Sequence, residues 1–196
     1  STDDVAVAQE LGYVIKLVGD VREVESGISA EVSPTFLPKN HPLASVNDVM
    51  NAVVVESIGI GESMYYGPGA GQKPTATSVL ADIIRIARRL SDGNVGKPFN
   101  EFHRDLPLAN PADVKSNYYF ALDTPEKKGK ILHLSEIFNS EDISFEQVLQ
   151  HKANGTTARI DASTHAMSKT QLKAVTEKLE AAEDFTVVNT LKVLSN

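Results

Sequence analysis

Asn117-Tyr118-Tyr119-Phe120-Ala121-Leu122-Asp123 opens the stretch that decides the fold. An aromatic and apolar run stopped by Asp123-Thr124-Pro125 reads as a strand. Beyond a turn ending at Gly129, Lys130–Asn139 reads as a helix and Ile143–Lys152 as a second strand. Asn154-Gly155 is a strong two-residue hairpin signal, because both positions tolerate positive φ, and it leads into a strand over Thr156–Ala162. Ser168-x-x-Gln171 has the spacing of a capping box, and Leu172, Val175 and Leu179 then share one helical face. Phe185–Leu194 closes as a strand. The order βαββαβ within about 80 residues predicts the ferredoxin-like split plan, an antiparallel sheet with two helices on one face.

Upstream of this block the sequence changes character. Ser91 to Ser116 carries Ser91-Asp92-Gly93-Asn94, Gly96-Lys97-Pro98 and Asn110-Pro111, clusters that disfavour helix and ladder alike and mark a boundary. Phe99, Phe102, Leu106 and Leu108 within it point to a path along a domain surface. The expected division is therefore 1–91, a linker over 92–116, and 117–196. In the first block, Ser1-Thr2-Asp3-Asp4 suits a helix start, and Val5, Ala8, Leu11, Ile15 and Val18 recur at helical spacing, with Gly12 weakening the middle. Val21–Val24 and Ile28–Phe36 read as strands around a Ser26-Gly27 turn, and Ala52–Ser57 with Glu62–Tyr66 as a hairpin. A helix of about 16 residues is expected from Thr75, with Val79, Leu80, Ile83, Ile84, Ala87 and Leu90 as its apolar stripe.

Composition closes off several classes. The 196 residues are 41% hydrophobic and 23% charged, which is ordinary for a globular chain. A net charge of −7 with no basic segment argues against nucleic acid as partner. The absence of cysteine excludes disulfides, thiolate nucleophiles and cysteine-based zinc sites, and fits a cytoplasmic location. No apolar run reaches the ~18 residues of a membrane span, so no membrane is expected as partner. The chain starts at Ser1 inside a helix-opening pattern, the expectation being a cut through a longer protein.

Tyr66-Gly67-Pro68-Gly69-Ala70-Gly71 lies between a strand and a helix, where backbone N–H groups and the helix dipole can hold an anion. It matches neither the dinucleotide fingerprint, which needs glycine where Gln72 stands, nor a Walker loop. By pattern alone, a flexible turn and a phosphate loop are equally good readings. His41, His103, His133, His151 and His165 show no metal-binding spacing, so no metal is expected. Lys16, on the expected first helix, reads as a snorkelling surface lysine, and Tyr65-Tyr66 and Tyr118-Tyr119 as strand pairs facing opposite sides. Asp123-Thr124-Pro125-Glu126-Lys127-Lys128-Gly129 ends at a helix N-terminus, where a carboxylate can be received while a nearby acidic group takes an ammonium. An amino acid carries both charges. A plain solvated turn is the simpler reading of the same residues.

Pro34-Thr35-Phe36-Leu37-Pro38-Lys39-x-His41-Pro42-Leu43-Ala44-Ser45-Val46, Asn51-Ala52-Val53, Gly61-Glu62-Ser63-Met64 and Tyr66-Gly67-Pro68-Gly69-Ala70-Gly71-x-x-Pro74-Thr75-Ala76 together closely resemble homoserine dehydrogenase. Leu11-Gly12-Tyr13-Val14-Ile15-Lys16-Leu17 is similar to that family too, and the match covers 3–91 almost continuously. Residues 117–194 resemble an ACT domain through Gly129, Ile137-Phe138, Ile143-Ser144-Phe145-Glu146-Gln147-Val148 and Thr164-His165, with Lys128 where the family often has proline. The resemblance implies an α+β fold, in which the C-terminal part of a mixed-sheet substrate and dimerisation domain is followed by a ferredoxin-like ACT domain. It implies a parent enzyme that interconverts L-aspartate 4-semialdehyde and L-homoserine with NAD(P). Its Rossmann domain, proton-donating lysine and substrate-binding acidic residues precede the matched region, so no catalytic residue and no bound cofactor are expected in these 196 residues. Gly71, with Gly69 and Thr75, then marks a wall of the dinucleotide site. Asp123, Lys128, Gly129 and Asp142 mark the site of an amino-acid effector, L-threonine first, and the expected assembly is a homodimer. The competing reading is a stand-alone amino-acid-binding and dimerisation module.

Overall fold

The computed structural model describes residues 2–93, 105–151 and 157–194. The Asn154-Gly155 turn, His103 and the 94–104 part of the expected linker lie outside the described residues. In chain order the elements are α1 (Thr2–Glu10), β1 (Tyr13–Val24), β2 (Gly27–Pro38), a 3-10 turn (Pro42–Ser45), β3 (Met50–Ser57), β4 (Gly61–Pro68) and α2 (Gln72–Ser91). Then come β5 (Lys115–Pro125), α3 (Lys130–Asn139), β6 (Phe145–Gln150), β7 (Thr157–Thr164), β8 (Met167–Ser168), α4 (Lys169–Ala181) and β9 (Thr186–Val193).

From β5 onward the described chain follows the expected βαββαβ order, with the two-residue β8 added alongside β5. The four long strands pair antiparallel in the spatial order β9-β5-β7-β6. The capping box is present: Ser168 Oγ accepts from the Gln171 N–H at 3.2 Å while Gln171 Oε1 accepts from the Ser168 N–H at 2.9 Å. Alternation along β5 separates two cores. Tyr118, Phe120 and Leu122 pack with Leu134, Ile137 and Phe138 of α3 and with Val175 and Leu179 of α4. Phe138 anchors this layer, edge-on to Phe120 at 5.1 Å between centroids. Tyr119 and Ala121 face the other way, into a smaller cluster with Phe36, Leu191, Val193 and the α1 residues Val7 and Ala8. The adjacent tyrosines 118 and 119 thus serve opposite faces, as expected.

The first block departs from its expected form. The helix stops at Glu10, and Gly12 (φ +84°) turns the chain into β1 instead of continuing a helix to Val18. The apolar spacing of Ile15 and Val18 fits a helix by coincidence. These residues belong to a 12-residue β-branched strand pairing with β2 along its whole length, from Tyr13↔Pro38 to Val24↔Gly27. Lys16 therefore stands on β1. The hairpin turn is Glu25-Ser26, one residue earlier than expected. Gly27 (φ +144°) follows it, and a Cβ there would stand 2.1 Å from the Pro107 carbonyl oxygen.

That hairpin does not stay with the rest of the first block. β2 pairs in parallel with β9 at Thr35↔Lys192 and Phe36↔Val193, giving a mixed seven-stranded sheet in the order β1-β2-β9-β5-β7-β6, with β8 as the seventh strand beside β5. Lys192 is buried between Asp20 and Glu31 of the hairpin, and Lys169 closes on Glu31 at 2.6 Å. Burial pushes the Glu31 carboxyl up, but its bonds to Lys169 and Lys192 outweigh that and hold it below its ordinary value. The second half of the expected linker joins the same sheet. Ile28 exchanges backbone hydrogen bonds with Pro107 and Ala109 at 2.9 Å each, and β5 begins at Lys115. Packing thus divides the chain into one unit from Ser1–His41 with Leu106–Asn196, and another from Pro42–Asp105. Both boundaries differ from the 1–91, 92–116 and 117–196 expected from composition, because a strand's hydrogen-bond partners can lie anywhere in the chain.

In the second unit, β3 and β4 pair antiparallel from Met50↔Pro68 to Ser57↔Gly61, and α2 follows. Among its described residues none is buried.

Candidate functional site

The glycine-rich turn sits where β4 ends and α2 begins. α2 starts at Gln72, three residues ahead of the expected Thr75, because Pro74 is tolerated in a first turn where its missing N–H leaves nothing unpaired. Gly71 is the N-cap at φ +130°, ψ 147°, with no side chain capping the helix, so the N–H groups of Gln72 and Lys73 have no intrahelical acceptor. A Cβ on Gly71 would be strained by that φ and would close to 3.2 Å from Pro74 Cδ. Gly69 donates to the Val49 carbonyl at 2.8 Å, and a Cβ on it would overlap the Asn51 side chain at 1.8 Å. The turn therefore presents bare backbone at the positive end of a 20-residue helix. Thr75 lies in the first turn of α2, where its N–H donates to the Gly71 carbonyl at 3.0 Å.

The second candidate is the turn from β5 to α3 in the other unit. Glu126, Lys127, Lys128, Gly129 and Gln150 are among the residues lining a cleft of ≈ 450 Å³ there. Gly129 caps α3 in a left-handed conformation with no side-chain bond, which leaves the N–H groups of the first turn directed at that end. Lys130 is engaged with Asp184, whose other oxygen meets His133 Nδ1 at 2.9 Å. The hydrogen bond from Lys130, then that from His133, holds the Asp184 carboxyl below its ordinary value. Lys127 and Lys128 are the exposed cations of the turn.

The structure gathers only two of the four expected effector residues here. Lys128 and Gly129 line the cleft, whereas Asp142 (φ +57°) lies past the opposite end of α3, about 15 Å away at 1.5 Å per residue. Asp123 stands opposite Arg159 in the β5–β7 register, on the strand face shared with Tyr119 and Ala121, which is the face away from α3 and α4. Among the described residues, no group of three or more His, Cys, Asp and Glu side chains could hold a metal. Nor is any described helix long and apolar enough to cross a membrane.

One assembly was not anticipated from the sequence. On the α1 side of the sheet, Asp161 and Asp4 are buried around a single guanidinium. Arg159 Nε donates to Asp161 Oδ1 at 2.9 Å and its Nη2 to Asp4 Oδ1 at 2.6 Å. Tyr119 donates its hydroxyl to Asp161 Oδ1 at 2.5 Å, and Asn189 donates to Asp4 Oδ2 at 3.0 Å. His151 Nε2 stands 2.8 Å from Asp161 Oδ2. Burial, then the bond to the Asp161 carboxylate, pushes the Tyr119 phenol far above its ordinary value. The only sequence signal was the Arg159-x-Asp161 spacing, which puts both side chains on one strand face.

These features define an α+β protein with a mixed sheet, carrying a glycine-rich turn of bare backbone at the N-terminus of α2. A homoserine dehydrogenase family model matches residues 1–84. The homoserine dehydrogenase of Lactococcus lactis is 58% identical over 193 residues, 98% of this chain and 45% of that protein. The Corynebacterium glutamicum enzyme of the same name is 34% identical over 97% of this chain and 44% of its own length. A crystal structure of a homoserine dehydrogenase from Thiobacillus denitrificans superposes with a TM-score of 0.89 at 31% identity, covering 100% of this chain and 46% of that one. The chain belongs to the homoserine dehydrogenase family. It spans about 45% of the length of its curated relative from L. lactis.

Proposed function

We propose that these 196 residues work as the C-terminal part of an NAD(P)-dependent homoserine dehydrogenase, which interconverts L-aspartate 4-semialdehyde and L-homoserine on the route to threonine, methionine and isoleucine. The 58% identity along nearly the whole chain carries this reading. The glycine-rich turn fits the cofactor: Gly69 and Gly71 leave bare backbone at the helix start, and the N–H groups of Gln72 and Lys73 have no intrahelical acceptor. NAD(P)H supplies the hydride when bound. These residues contribute one wall of its site and orient it, while the proton donor belongs to residues outside this chain. Spectrophotometric turnover by the purified 196-residue chain with NADPH and aspartate semialdehyde should stay at background, and turnover above it would refute the division of labour. In the longer enzyme, Gly71→Val should raise the cofactor KM by tenfold or more. Unchanged cofactor affinity would reduce the glycine to a turn former.

On the same reading, residues 117–196 form an ACT module that senses a pathway amino acid, the enzyme is a cytoplasmic homodimer, and L-threonine is the first effector to test. The N-terminal turn of α3 would take the carboxylate through Lys128 and Gly129. Asp142 of a paired module is the better ammonium partner, because in its own chain it lies a helix length away. Calorimetric titration with L-threonine, against serine, valine and methionine, should show binding in the range of ordinary metabolite affinities. No heat up to ~10 mM would leave the module purely structural. The stand-alone reading draws support from the unit of Ser1–His41 and Leu106–Asn196, which holds every buried residue of the described chain.

A further inference from the structure

Taking the glycine-rich turn as a wall of the dinucleotide site, on which this inference rests, we propose that Asn51 is its positioning residue. The Asn51 carboxamide fills the space left by Gly67 and Gly69 and so fixes where the backbone of Gly71 points. β3 and β4 end their ladder with the pairs Asn51↔Gly67 and Met50↔Pro68. Side chains alternate along a strand, so Asn51 shares a face with Gly67 directly opposite and with Gly69 two residues further on. Neither glycine puts anything on that face. The Asn51 side chain leans into the gap: a Cβ built on Gly69 would overlap it, with Nδ2, Cγ and Oδ1 as the three nearest heavy atoms.

The two glycines of the turn are glycine for different reasons. Gly71 stands at φ +130°, which a side chain disfavours, whereas Gly69 is not among the glycines held at positive φ. What a side chain at Gly69 would displace is Asn51. Two ties therefore hold the turn to β3 and the residues before it, the Gly69 N–H donating to the Val49 carbonyl at 2.8 Å and the Asn51 amide packed on Gly69. Beyond Gly69 the chain passes through Ala70 to Gly71, an N-cap without a side-chain capping bond. The direction of the free N–H groups in the first turn of α2 is thus set upstream, at Gly69. A turn already held in one conformation binds without the entropic cost of being ordered. Bracing of this kind shows in cofactor affinity and leaves hydride transfer alone. It adds little to stability, because no described residue of Pro42–Asp105 is buried.

Steady-state kinetics of the longer enzyme with NADPH test this, with Gly71→Val as the reference. Asn51→Ala should raise the cofactor KM ~5-fold, the effect of freeing one ordered element, with kcat and the thermal midpoint as before. Gly69→Ala pushes the same amide off the turn and should raise KM by a similar factor. The double variant should then be no worse than either single one. Asn51→Leu, branched at Cγ as asparagine is, should restore most of the affinity. Multiplying effects of Asn51→Ala and Gly69→Ala would overturn the brace. So would an Asn51→Leu as weak as Asn51→Ala, which would make the amide itself a cofactor contact. A lower midpoint together with a lower kcat in Asn51→Ala would overturn it too, reducing Asn51 to a general support of the hairpin. Unchanged cofactor KM in Asn51→Ala while Gly71→Val raises it defeats the brace alone, and unchanged KM in both defeats the cofactor reading of the turn.

Discussion

α2 and α3 carry equally plain apolar stripes, yet they end in opposite circumstances. Leu134, Ile137 and Phe138 of α3 are buried in a layer with β5 and α4, whereas Val79, Leu80, Ile83 and Ile84 of α2 are all exposed. The contrast extends to their units: one contains two buried clusters, the other no buried residue among those described. Helical periodicity specifies which face is apolar and says nothing about whether this chain covers it. An exposed stripe of that length calls for a surface beyond the unit. The proposed homodimer would supply one.

The largest expected effect tests whether the two helices differ as sharply in energy as in burial. Phe138→Ala should cost ~4 kcal/mol, since it removes a fully buried ring from between Phe120 and Phe145. Ile83→Ala, at a position 55% exposed in the single chain, should change chemical denaturation of the monomer by less than ~0.5 kcal/mol. Equal costs would mean that α2 is covered in solution.

A smaller effect concerns the joint between the hairpin and the former linker. Gly27→Ala should cost ~2 kcal/mol in urea unfolding, because the new Cβ meets a backbone oxygen at a φ that alanine avoids. Gly59→Ala, in the other unit with open space around it, should be close to neutral. A neutral Gly27→Ala would detach residues 106–109 from the hairpin tip.

The smallest is a pH effect. Glu31 has its carboxyl held below the ordinary 4.5, so the stability it contributes is complete above that value and is lost as pH falls through the lowered one. Between pH 5 and 3 the unmodified protein should therefore lose stability more steeply than Glu31→Gln, by less than ~1 kcal/mol. Identical acid limbs would show that Lys192 is held by Asp20 alone.

Much of the C-terminal block was legible because its signals are local. Lys130–Asn139 forms the helix its spacing indicates, and the capping box marks the start of α4. Near Gly12 the local signal misled, since Val5 to Val18 satisfied a helical period and only the partner strand β2 revealed Tyr13–Val24 as β. The candidate sites followed the same rule. The bareness of Gly69 and Gly71 could be read from residue type, but the separation of Asp142 from Gly129 could not.

The amino-acid sequence by itself determined the family, the βαββαβ order, the apolar faces and the glycine-rich turn, because each depends on residue type and short spacing. The tertiary structure decided that Tyr13–Val24 is a strand, that the hairpin extends the C-terminal sheet through β9, and that Asp4, Tyr119, Arg159, Asp161 and Asn189 meet. Those outcomes depend on pairing between residues up to 185 positions apart. Backbone hydrogen bonds and buried charges are satisfied by whichever partner the fold brings near, and neither period nor composition records which partner that is.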